Sequence, residues 1–253
     1  MKRWLVAEAL LLTLLAAASG AALAWQAGHW GWSWDALNHH VYLGLTAEHP
    51  RWHLDVLAAN YQAYVYPYLY WPTYRISLIE GDGLKVLMLW SAAQSAMLLP
   101  PIWLAAYRLL SPSNMAPWEL PLARGAACAL AYSSAIVLLA VTMSSNDLLA
   151  TMPLLWALAL HLGQPQSGRR AFTCAALWGV STAFKWSNGL MLPVLFFWWW
   201  QASTPHFPLR RGVAITIGAA VGFGVAYLPW GIQLWQVTGN PFYPYFQALF
   251  GGH

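Results

Sequence analysis

The residues best equipped for chemistry crowd into one stretch. Positions 26–83 hold five of the eight acidic residues (Asp35, Glu48, Asp55, Glu80, Asp82) and five of the eight histidines (His29, His39, His40, His49, His53). Their densest cluster is Trp34-Asp35-Ala36-Leu37-Asn38-His39-His40-Val41-Tyr42. On a helix, Asp35, Asn38 and His39 stand at i, i+3 and i+4 and share one face, while His40 points about 100° away from His39. A carboxylate beside an imidazole can take a proton from an acceptor hydroxyl. An aspartate in a first helical turn is also favoured by the helix dipole alone, with no chemistry attached. A metal site needs three or four converging ligands. Asp35 and His39 with a distant His49 or His53 could supply them, but the spacing does not require it, and no metal ligand is assigned.

Two further residues stand outside that stretch. Asp147, in Ser144-Ser145-Asn146-Asp147, is either a helix N-cap, a role open to Asn146 or Ser145 as well, or a second carboxylate packed near Asp35. Lys185, in Phe184-Lys185-Trp186-Ser187-Asn188, interrupts an apolar region. A lysine there is costly and points to function, with an anionic lipid phosphate as its natural partner. The alternative is snorkelling to the headgroups, and the same two readings hold for Arg75 and Lys85. Tyr66 and Trp71 lie among Tyr61, Tyr64, Tyr68, Tyr70 and Tyr74 around a Pro67…Pro72 turn.

The composition says what must position these groups. Of 253 residues, 59% are hydrophobic and 8% charged, against roughly 25% charged in an average soluble domain. So few charges cannot clothe a water-soluble sphere, and no basic face for nucleic acid can be drawn from them. Cys128 and Cys174 lie in apolar runs and read as small buried side chains. The chain reads as an all-α integral membrane protein.

Apolar runs at 4–24, 84–107, 125–143 and 212–230 are long enough to span, and 148–162 with the pair 171–184/189–202 are shorter. Lys2/Arg3, Arg108/Arg124, Arg169/Arg170 and Arg210/Arg211 fall between runs and read as cytoplasmic. Placing all four groups inside requires seven crossings, with 171–202 a hairpin broken near Lys185–Gly189. The N-terminus is then cytoplasmic, 26–83 is the first external loop and 231–253 an external tail. The first segment reads as an uncleaved helix rather than a secretory leader, since its apolar stretch is long and contains Glu8. Trp25, Trp30, Trp32 and Trp34 suit an outer aromatic belt and Trp198-Trp199-Trp200 an inner one. A loop of this length should carry structure of its own. Trp34, Leu37, Val41 and Leu45 predict an amphipathic interfacial helix over Asp35–His49, and a second is expected from about Asp55 to Tyr66.

Trp34-Asp35-Ala36-Leu37-Asn38-His39-His40 resembles the start of the first external loop of GT-C superfamily glycosyltransferases. The Ser-Asn-Asp at 145–147, Gly179…Lys185 and Thr238-Gly239-Asn240-Pro241-Phe242-Tyr243-Pro244 are similar in the same order along the chain. The resemblance implies a seven-helix module whose first external loop bears two juxtamembrane helices. It implies an inverting transfer from a polyprenyl-phosphate-linked sugar, at the outer face of a bacterial plasma membrane, to an acceptor it does not identify. Carried over, Asp35 is the general base with His39 beside it, and Asp147 is a second acidic or acceptor-positioning residue. Lys185 lies near the lipid phosphate, with Arg75, Asn38, His40, Tyr66 and Trp71 as further substrate-binding candidates. No cofactor is implied, and the histidine-rich loop leaves a divalent metal compatible. Two departures stand out. Asn38 or His39 occupies a place where tyrosine is commoner. Members usually continue past the seventh helix, so the chain is expected to be a minimal member, to work with a partner subunit, or to be part of a longer enzyme.

The competing class is a lipid-binding or lipid-translocating protein without catalysis. A transporter is disfavoured, because only one broken helix pair occurs and no second copy of it.

Overall fold

The computed structural model describes residues 3–29, 34–52, 54–55, 60–111, 113–162, 167–193 and 209–250. Among them all regular structure is helical, with no strand. Three helices are long and apolar enough to cross a membrane: α1 (Arg3–Ala27), α4 (Gly83–Leu110) and α9 (Leu209–Thr238). Seven such helices are not found among the described residues. Between α1 and α4 come a π turn (Ala36–His40) running into α2 (Val41–Glu48), a 3-10 turn (Asn60–Tyr64) and α3 (Trp71–Ser77). After α4 follow α5 (Glu119–Tyr132), α6 (Ala135–Ala140), α7 (Asp147–His161), α8 (Gly168–Phe184) and a 3-10 turn (Trp186–Met191). The short α10 (Gln247–Phe250) comes after α9.

The predicted spans fare unevenly. Those at 4–24, 84–107 and 212–230 are present and longer than expected. Asp82 starts α4 by accepting hydrogen bonds from the Leu84 and Lys85 amides at 3.1 and 3.3 Å, an N-cap that satisfies otherwise orphaned donors. The run at 125–143 is not one helix. It breaks at Ser133–Ser134, where Ser133 Oγ donates to the Leu130 carbonyl at 3.1 Å and Ser134 is extended. Serine competes for backbone hydrogen bonds in this way, and an apolar run does not reveal it. The span at 148–162 is the short apolar helix α7. The arm 171–184 lies within α8, but of 189–202 only the first residues are described. Trp30, Trp32 and the Trp198–Trp200 belt lie outside the described residues.

The expected tail at 231–253 is largely structured. α9 runs on to Thr238 and stops at Gly239, whose φ of +71° suits glycine. Asn240 is fully buried, donating from Nδ2 to the Tyr245 carbonyl at 2.7 Å and accepting the Phe242 amide at 2.9 Å. The Thr238–Pro244 string therefore serves as a helix stop.

The chain divides into two compact units, Met1–Ser33 with Ile79–Pro165, and Trp34–Leu78 with Gln166–His253. In the first, α4 packs on α1, α5 and α7 around Leu5, Leu98, Leu99, Trp103, Cys128 and Tyr132. Arg124 is almost wholly buried there, and its Nε and Nη2 reach the two Glu8 carboxylate oxygens at 2.6 Å each. Trp103 Nε1 donates to the same carboxylate at 2.9 Å. Arg108 donates to the Ala159 and Leu160 carbonyls at the end of α7, both at 2.6 Å. These two arginines thus sit on helices with internal partners and are not free loop charges, which weakens the crossing count that relied on them.

In the second unit α8 and α9 make the most extensive helix pair. A Cβ on Gly222 would lie 1.9 Å from the Ala176 carbonyl oxygen, one on Gly218 2.4 Å from that of Phe172, and one on Gly179 2.2 Å from that of Ala219. Glycine lets the two backbones touch there, a Gly-x-x-x-Gly packing common between apolar helices. Tyr66, Ala183, Tyr227, Trp230 and Leu234 form the buried centre of this unit.

Candidate functional site

A helix forms over the expected segment 35–49, with a π turn at its start. Such turns inside a helix are uncommon and are frequent at functional sites. The buried side is Ala36, His40, Leu43 and Gly44; of the predicted stripe, Val41 and Leu45 are only partly buried and Trp34 is exposed. The reason is tertiary. α2 packs on α3, and Gly44 admits it, since a Cβ there would meet Tyr74 Cβ at 2.2 Å. The second helix is also displaced from its expected place. The 3-10 turn Asn60–Tyr64 stands within the predicted 55–66, and the α-helix begins only at Trp71, where Pro72 supplies a favourable first turn.

Asp35 and His39 meet as the spacing predicts, with Oδ1 and Nδ1 3.7 Å apart. The Asp35 side chain is 56% exposed and that of His39 only 12%. His40 does not turn away. Its ring is buried, 4.3 Å from the His39 ring centre and nearly perpendicular to it, and it stacks on Tyr70 at 4.9 Å. Asn38 donates from Nδ2 to the Trp34 carbonyl at 2.7 Å.

Electrostatics follow from that burial. Desolvation holds His39 below the ordinary imidazole range, with the Asp35 charge opposing it. His40 is pushed down to about 4, first by burial and then by His39 and Lys185, against the pull of Asp35. Burial, together with the Asp35 carboxylate, raises the Tyr70 phenol. Burial thus favours the neutral form of both imidazoles, most strongly at His40. Lys185, half-buried at the end of α8, is close enough for its charge to be felt at His40. The structure thus brings Asp35, His39, His40 and Lys185 into one region, and adds Tyr70.

The remaining candidates of the same unit stand elsewhere in it. Tyr66 belongs to the aromatic centre, 5.4 Å from Phe184 and 5.3 Å from Tyr68, and burial lifts its phenol to about 12. Trp71 and Arg75 both donate to the Glu48 carboxylate. Arg75 is thus paired through Nε with a protein carboxylate. Asp147 lies in the first turn of α7, in the other compact unit, following Asn146 at the cap position. His49 stands beside Glu48 at 3.8 Å, and His53 lies outside the described residues. Among the described residues no three His, Cys, Asp or Glu side chains converge on one point.

Tyr70 and Glu48 were missed. Tyr70 is one of many tyrosines near the Pro67…Pro72 turn, and only the α2–α3 packing singles it out. Glu48 could have been suspected as the one acid at the end of the predicted helix.

Compared with protein-family models, characterised proteins and solved structures, the chain matches none. The function must be argued from the residues.

Proposed function

We propose that the chain is a membrane glycosyltransferase that moves a sugar from a polyprenyl-phosphate donor to an acceptor hydroxyl. Asp35 is the general base, and the site lies at the external face of a bacterial plasma membrane. One observation carries the reading: a solvent-reachable carboxylate lies 3.7 Å from a nearly buried imidazole, with a half-buried lysine in the same electrostatic neighbourhood.

The reaction divides between those groups. The acceptor oxygen attacks the anomeric carbon, forming the new glycosidic bond as its proton passes to Asp35. The bond from that carbon to the phosphate oxygen breaks, and the polyprenyl phosphate leaves with the electron pair. Its charge grows as it departs, and a preorganised cation favours that step, the role given to Lys185. His39, whose buried Nδ1 makes no hydrogen bond among the described residues and lies 3.7 Å from Asp35 Oδ1, is the group to which the proton can pass onward. The apolar helices keep such a lipid within reach, and the finer topology of seven crossings belongs to this reading.

The test is sugar transfer by the full chain in nanodiscs, using a panel of polyprenyl-phosphate sugars. Asp35→Asn keeps the shape and removes the base, and a loss of about 10²–10⁴-fold in turnover is expected. Wild-type turnover in that variant would remove Asp35 from the mechanism. Donor binding without turnover in the wild type would favour the lipid-binding alternative.

A further inference from the structure

α2 and α3 carry a second polar cluster, built around Glu48. Its Oε1 accepts from both Trp71 Nε1 and Arg75 Nε. The Arg75 guanidinium stands over the Trp71 ring, 5.9 Å from the ring centre, within cation–π range. His49 Nε2 is 3.8 Å from the other Glu48 oxygen. Trp71 is 43% exposed, and Arg75 and His49 are exposed as well. The carboxylate beneath them is mostly covered.

This arrangement fixes the indole twice, by its N–H edge and by the cation over its ring. Arg75 is held through Nε, and its terminal nitrogens remain to meet another acceptor. A rigid aromatic surface takes the C–H-rich face of a pyranose ring by close apolar contact. A guanidinium beside it pairs with a carboxylate or phosphate, and an exposed imidazole can hydrogen-bond a hydroxyl. A tryptophan that anchors a protein in the headgroups usually offers them its N–H, whereas this N–H is spent on a protein carboxylate.

We propose that Trp71, Arg75 and His49 form a binding subsite for an anionic saccharide, held in shape by Glu48. The subsite lies at the far end of the helical segment that begins with Asp35, roughly 20 Å along it at 1.5 Å per residue. It would therefore grip an acceptor glycan several rings away from the reacting hydroxyl. That placement rests on Asp35 as the base, while the binding itself does not.

The experiment is calorimetric titration of the full chain, in phosphatidylcholine nanodiscs, with tetragalacturonate, a phosphorylated tetramannoside and neutral maltotetraose. At least one anionic probe should bind more tightly than maltotetraose. Trp71→Ala should weaken that binding at least tenfold, and Trp71→Phe, which keeps a ring face, should weaken it less. Arg75→Gln should erase the preference for the anionic probe. Asp35→Asn should bind as the wild type does, even where it transfers nothing. Thermal unfolding of each variant identifies any that fails to fold, and the two milder substitutions then carry the test. Failure of both anionic probes to bind, or unchanged binding in folded Trp71→Ala and Arg75→Gln, would overturn the subsite. So would a loss confined to association with phosphatidylglycerol vesicles, which would make the cluster a membrane anchor. Tight glycan binding without transfer by the wild type would overturn the enzyme reading and leave the subsite standing.

Discussion

His40 shows how a single side chain couples the site to the medium. Its ring is buried against Tyr70, and its affinity for a proton is pushed down to about 4, well under the ordinary 6.5. Below pH 6.5 the unfolded chain takes up a proton that the folded chain refuses, so stability falls as pH falls. The contribution is complete above about pH 6.5 and is lost progressively toward pH 4. His39 shifts in the same direction. For His40 alone the loss at pH 5 is about 2 kcal/mol. His40→Phe keeps a ring on Tyr70 and removes the titration. Its unfolding temperature in detergent should therefore change less between pH 7.5 and pH 5 than that of the wild type, and equal slopes would contradict the assignment.

Between elements, the decisive contacts are made by residues with no side chain to show. α8 and α9 approach until backbone meets backbone at Gly179, Gly218 and Gly222. Gly222→Ala would drive a methyl group into the Ala176 carbonyl and force the helices apart, a cost of about 1–3 kcal/mol. Gly224, on the same helix, has nothing within 4 Å of its Cβ position. Alanine there should be neutral or stabilising by up to about 1 kcal/mol, from helix propensity. Thermal unfolding of the two variants side by side checks the packing, and equal effects would refute it. The π turn ahead of α2 belongs to the same scale. It leaves Asp35 and His39 together while allowing His39, His40 and Tyr70 to gather.

The molecule as a whole is dominated by its composition. Three helices of 25, 28 and 30 residues are apolar enough to cross a bilayer, and α1 presents Leu10, Leu11, Leu14 and Leu15 at its surface. In water such a face would drive aggregation, and in lipid it needs no cover. Alkaline carbonate washing should therefore leave the expressed protein with the membrane pellet, and release into the supernatant would contradict an integral placement. The Glu8–Arg124 pair agrees with this setting. A charge buried among apolar helices persists where a partner neutralises it and its hydrogen bonds are satisfied.

The three long helices were legible because a run of apolar residues declares its own solvent. The Asp35–His39 contact was legible because helical spacing is a local rule, and this departure from it did not separate i from i+4. The Gly218-x-x-x-Gly222 pattern is equally readable in the sequence. Ser133 and Ser134 break a helix through a local hydrogen bond that hydropathy does not register. Other features depend on neighbours distant in the chain. His40 turns toward His39 because Tyr70 stands behind it, and Arg75 pairs with Glu48 because α3 packs on α2. Composition and periodicity report what each segment needs to be near, apolar or polar. Only the tertiary structure decides which partner satisfies that need, because the choice is set by the packing of segments far apart in sequence.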